Sequence, residues 1–104
     1  MKTAELHARV RVALRHSFGD RLRQVVHYGS TARGDERSDS DVDYLVVIEG
    51  PVRLGDDLDK IVQSLYPIQL EIDRPIHAMP VDELDFEAGA YGLYRAAKRD
   101  GAAI

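Results

Sequence analysis

The chain contains no cysteine, which excludes disulfides and thiolate-held metals and fits a reducing, cytoplasmic setting. It also lacks an apolar run long enough to span a membrane. Its start, Met1-Lys2-Thr3-Ala4-Glu5-Leu6, leads straight into a charged amphipathic pattern, without the apolar stretch of a signal peptide. An excess of positive charge is missing as well: fourteen Lys and Arg against eighteen Asp and Glu give a net charge of −4. Such a field argues against general nucleic-acid binding, though not against a local basic stripe. What remains, 44% hydrophobic and 31% charged residues, places the chain among folded globular proteins. At 104 residues it reads as one domain, 1–104, able to bury roughly two-thirds of its unfolded surface.

Hydrophobic spacing predicts the elements. Leu6, Val10, Ala13, Leu14 and Phe18 recur at three- and four-residue steps, giving an amphipathic helix over 3–18 that Gly19-Asp20 ends. Gln24 to Tyr28 reads as a short buried strand, and Val42 to Ile48 as a second, rich in β-formers. Between them lies a polar stretch, Gly29 to Ser40, in which Ser30 or Thr31 could cap a short helix. After the Gly50-Pro51 turn, Leu54, Leu58, Ile61, Val62 and Leu65 trace a second helix. Ile68, Leu70 and Ile72 alternate with Gln69, Glu71 and Asp73, which predicts a half-buried strand over 68–74 that Pro75 bends, ends or places at an edge. Asp82 caps a last helix through about Lys98, weakened in its middle by Gly89 and Gly92 and closed by Gly101. The expected fold is α/β (α+β), a small mixed sheet of three or more strands flanked by helices.

Two features carry chemistry. A strand that ends in Gly29-Ser30 can bring backbone N–H groups, unobstructed by a β-carbon, to an anion, with the Ser30 hydroxyl as a further donor. Asp41 and Asp43 sit two apart at the entrance of the second strand, so both side chains leave one face. Asp39 lies two residues earlier. Carboxylates this close repel, and protonation, an Arg partner or a bound cation must offset them. Oxygen ligands without His or Cys beside them favour a hard ion such as magnesium. Alternatively, Asp39 and Asp41 are solvated loop residues and only Asp43 enters the strand.

Ser30 is followed by ten residues, Thr31 to Ser40, and then by Asp41-Val42-Asp43. Gly-Ser, ten residues, Asp-x-Asp resembles the signature of the DNA polymerase beta nucleotidyltransferase superfamily. The fuller string Gly-Ser-Thr-Ala-Arg-Gly-Asp with Ser38-Asp39-Ser40-Asp41-Val42-Asp43 is similar to its minimal members, the MNT proteins. The stretch Tyr94-Arg95-Ala96-Ala97-Lys98-Arg99-Asp100-Gly101 looks like their basic last helix. The resemblance implies that Gly29 and Ser30 hold a nucleoside triphosphate and that Asp41 and Asp43 bind one or two magnesium ions. A third carboxylate on a neighbouring strand completes that family's site. Asp73 is favoured for it and Glu71 is the alternative, both projecting from the same expected strand face. The implied activity is transfer of a nucleoside monophosphate, AMP from ATP, to an acceptor hydroxyl, with metal ions about 4 Å apart stabilising the attacking and leaving oxygens.

A stand-alone domain of this size resembles the antitoxins of HEPN/MNT toxin–antitoxin pairs, which transfer AMP to a tyrosine of a small helical HEPN partner. The rival is a non-catalytic module that binds nucleotide and sequesters its partner. Arg33, one helical turn beyond Ser30, either reaches a phosphate oxygen or pairs with Asp35 or Glu36. His27 reads as a strand histidine with a satisfied ring, and His7, His16 and His77 show no metal-ligand spacing. Tyr91 and Tyr94 are core or partner-facing, which leaves homo- or hetero-oligomers open. Asp56, Asp57 and Asp59 complement the dipole at the start of the second helix.

Overall fold

The computed structural model describes residues 1–29 and 40–104. Helix α1 (Thr3–Phe18) is followed by a single 3-10 turn and strand β1 (Leu22–Tyr28), then strand β2 (Val42–Ile48) and helix α2 (Leu54–Gln69). Strand β3 (Ile76–Asp82), helices α3 (Glu83–Ala88) and α4 (Gly92–Asp100) and a short strand β4 (Ala102–Ala103) complete the order. The strands form one mixed sheet in the order β3-β2-β1-β4. β1 runs antiparallel to β2 and β4, while β3 runs parallel to β2.

Strand alternation divides the interior in two. Val25, Val42, Tyr44, Val46 and Ile48 face α1 and α2 and pack with Leu6, Val10, Leu14, Ile61, Leu65 and Ile68. Val26, Leu45, Val47 and Val81 face the other way and pack with Phe86 of α3 and Ala97 of α4. β2 is covered on both sides, which is why five consecutive residues from Tyr44 to Ile48 are fully buried. The expected α/β architecture, with a small mixed sheet flanked by helices, is what the chain adopts.

Three local expectations need correction. Residues 68–74 are not a strand. Ile68 closes the buried stripe Ile61–Leu65–Ile68 of α2, and Ile72 packs against the same core at the next helical step. Leu70, which a half-buried strand would cover, is 68% exposed. The third strand starts after Pro75, at Ile76, and its Pro80 is tolerated because β3 is an edge. The last helix is two: Asp82 caps α3 by accepting from the N–H groups of Leu84 and Asp85, and Gly89, with φ +63°, ends it. Finally, β4 pairs with Val26 and His27 where no strand was expected. Among the described residues, no helix is long and apolar enough to cross a membrane.

Candidate active site

Register places the chemistry. Asp43 pairs with Tyr28 across β1–β2 and with His77 across β2–β3. Paired residues project from the same side, so Tyr28, Asp43 and His77 form one row across the sheet, on the face that holds α3 and α4. Asp41, two residues before Asp43, belongs to the same side. The row crosses the end of β1 and the beginnings of β2 and β3, and its Tyr28 packs against the cluster that contains Phe86 and Ala97.

Gly29 follows Tyr28 with φ +86°, a conformation that suits glycine. A β-carbon there would meet Asp43 Oδ2 at 2.5 Å. The missing side chain is therefore what lets the half-buried Asp43 carboxylate lie against the end of β1. Burial raises the Asp43 carboxyl above its ordinary value, with His77 opposing the shift and Asp41 adding to it. Burial also raises the Tyr28 phenol, and Asp43 reinforces it. Asp41 is more open: its Oδ2 lies 3.0 Å from His77 Nε2, with both side chains more than half exposed.

The beginning of β3 is tied down by hydrogen bonds as well as by the packing of Ile76 on the core. The Gln69 side chain, at the end of α2, donates to the Arg74 carbonyl at 2.8 Å and accepts from the Ile76 N–H at 2.8 Å, bridging both sides of Pro75. The Arg74 guanidinium donates to the Ser40 carbonyl at 2.8 Å, and the Val42 N–H donates to the Pro75 carbonyl at 2.9 Å. Asp41 is thus held between two fixed points. Beside the row, a groove of about 440 Å³ runs from Tyr28 and His77 along the β3 edge to Leu58, Val62 and Tyr66 of α2.

Of the residues expected at the site, Gly29, Asp41 and Asp43 come together. Ser30 and Arg33 lie outside the described residues, as does Asp39. Asp73 does not reach the pair from a strand face: it lies in the connection that precedes β3. Glu71 is exposed and bonded to Arg9 of α1 at 2.6 Å. The β3 position opposite Asp43 is filled by His77, which shows no ligand spacing in the sequence. Its signal emerges once the strand is started after Pro75, because His77 then becomes the only polar residue in the half of β3 that meets Asp43. His27 turns to the opposite face, where its buried ring lies against His7 of α1. Tyr94 packs on Phe86, and Tyr91 is 61% exposed.

The donor set suits a divalent cation: two carboxylates on one strand face, one of them seated where a β-carbon at Gly29 would collide with it. Among the described residues, no three His, Cys, Asp or Glu side chains converge at metal-binding distance; Asp41 and His77 touch, and Asp43 stands next to them.

A fold with a carboxylate pair beside a glycine turn at the mouth of a mixed sheet defines a nucleotidyltransferase-like domain. The family model for the nucleotidyltransferase domain matches residues 8–97, and the chain belongs to that family. No curated protein sequence matches it. Among solved structures, a candidate nucleotidyltransferase from Sulfolobus solfataricus is similar at TM-score 0.67 and 23% identity, over 95% of this chain and 76% of that one. A toxin–antitoxin structure with AMP-PNP is similar at TM-score 0.68 and 13% identity, over 93% and 70%. Spectinomycin adenyltransferase from Enterococcus faecialis, with ATP and spectinomycin, is similar at TM-score 0.74 and 19% identity. That match covers 99% of this chain and only 56% of the adenyltransferase. At these identities the likenesses show the fold.

Proposed function

We propose that the domain binds ATP together with a divalent cation, magnesium in the first instance, and transfers AMP to an acceptor hydroxyl. The observation that carries this is the β1–β2 register, which sets Asp43 against the side-chain-free Gly29. Asp41 and Asp43 would hold the cation, and Gly29 and Ser30, with Arg33, would hold the triphosphate. The cation, when bound, supplies charge stabilisation at the α-phosphate. The protein's own part is positioning: Gln69 and Arg74 fix the strand starts, and Asp43 stays half-buried, where its charge acts through little water. The groove lined by Tyr28 and His77 would receive the acceptor side chain.

The acceptor we propose is a tyrosine of a small helical HEPN-type protein, which would make the domain an antitoxin. The MNT-like string supports this, as does the shared fold with a toxin–antitoxin structure that holds AMP-PNP. A second reading, a nucleotide-binding module that neutralises its partner by sequestration, is favoured by one observation. Among the described residues, no carboxylate stands on β3 opposite Asp43. Incubation with α-labelled ATP, Mg²⁺ or Mn²⁺ and the protein encoded next to it separates the two. Label on the partner that Asp43→Ala abolishes supports transfer. Nucleotide binding without label, together with partner neutralisation that survives Asp43→Ala, supports sequestration.

A further inference from the structure

We propose that His77 is the third ligand of the cation site, giving it two carboxylates and one imidazole, and that the site consequently prefers Mn²⁺ to Mg²⁺. This rests on the reading of Asp41 and Asp43 as cation ligands. The register sets His77 on the strand adjoining Asp43, with both side chains on one side of the sheet. Its Nε2 lies 3.0 Å from Asp41 Oδ2. An octahedral cation with bonds of about 2.1 Å sets adjacent ligand atoms about 3.0 Å apart, so the two groups already span one edge of such a shell.

No carboxylate of β3 competes for this place. The strand's only one, Asp82, is five residues further on, about 16 Å along the strand, and is occupied capping α3. A surface ion pair is the plain alternative for His77 and Asp41. Both side chains are more than half exposed, however, and such a pair contributes at most about 1 kcal/mol, so stability gives little reason for it. The chemistry of the donors decides the cation. Mg²⁺ favours oxygen ligands and gives up water reluctantly, whereas Mn²⁺ binds carboxylates as readily and stands in the transition series for which imidazole is a good ligand.

The test is an electron-paramagnetic-resonance titration of Mn²⁺ in the presence of AMP-PNP, with Mg²⁺ as competitor. The wild type should bind Mn²⁺, and His77→Ala should bind it about ten-fold or more weakly, the scale at which even the outer partners of metal ligands act. His77→Asp should regain affinity while letting Mg²⁺ compete better. With Co²⁺ in place of Mn²⁺, the wild type should show a hyperfine-shifted exchangeable ring proton in its NMR spectrum that both variants lack. If His77→Ala keeps wild-type Mn²⁺ affinity while Asp43→Ala loses it, His77 is no ligand and the site reading stands. If the folded wild type binds no Mn²⁺ with nucleotide, the site reading falls and the role of His77 falls with it.

Discussion

Gly29 and Asp43 occupy each other's space: a β-carbon on the glycine would stand 2.5 Å from the Asp43 Oδ2. The two belong to separate parts of the chain and meet because β1 ends beside the beginning of its antiparallel neighbour β2.

Gly29→Ala should therefore act twice. The φ of +86° strains any side chain, costing about 1–2 kcal/mol in urea unfolding. The new methyl group also pushes the Asp43 carboxylate out of its place. Calorimetry with AMP-PNP and Mn²⁺ should show binding lost in a protein that still unfolds cooperatively. Unchanged binding would mean that the turn is not part of the nucleotide site.

Asp43 should serve function at the expense of the fold. Its carboxyl is raised by burial, so the folded protein keeps that proton to higher pH than the unfolded chain does. The resulting penalty is absent below the ordinary carboxyl value of 3.8 and grows as pH rises through the folded value. Asp43→Asn removes it. Without metal or nucleotide, the variant should melt above the wild type at neutral pH, and the gap should close in acid. A variant that melts lower at neutral pH would contradict this.

Asp57 works in the opposite sense. It is buried in the first turn of α2, with Oδ1 and Oδ2 accepting from Arg21 at 3.0 and 3.2 Å and Oδ2 also accepting from the Arg53 N–H at 2.9 Å. The Arg21 hydrogen bond holds its carboxyl below the usual range. That stabilisation is present above 3.8 and is lost as pH falls through the depressed folded value. Asp57→Asn should cost about 2 kcal/mol at neutral pH, the scale of hydrogen bonds to charged groups. Urea unfolding at pH 7 and in strong acid should show the difference shrinking as the acid increases.

Much of this is legible in the residues themselves, and the main exception has one cause. Helix spacing from Leu6 to Phe18 and the β-rich run from Val42 to Ile48 mark elements that local pattern alone determines. The Gly29 and Asp43 contact is implied by two motif halves, since both flank strands that pair. The third strand is misplaced by pattern alone because Ile68 and Ile72 fit both an alternating and a helical period, and only the exposure of Leu70 distinguishes them. That ambiguity carries a site expectation with it: the pattern sets Asp73 on the third strand, whereas the structure sets His77 opposite Asp43. Strand β4, two alanines long, has no pattern of its own and exists through its pairing with Val26 and His27.

Gln69 offers a test of how the site is held without touching its ligands. Its amide orientation is fixed by the network: the oxygen accepts from the Ile76 N–H and the nitrogen donates to the Arg74 carbonyl. Gln69→Ala removes both bonds across Pro75 and frees the start of β3, where His77 is the second residue. The loss should be about 1–2 kcal/mol for two neutral hydrogen bonds at a half-buried position. Hydrogen exchange should localise it, with faster exchange at Ile76 and Val42 and little change at Leu45 or Val46 in the strand centre. Gln69→Glu separates the two bonds, because a carboxylate can still accept from Ile76 but faces the Arg74 carbonyl without a proton to give. If Gln69 positions β3, cation affinity should fall in both variants while the core amides stay protected; a uniform loss of protection would instead make it a residue of general stability.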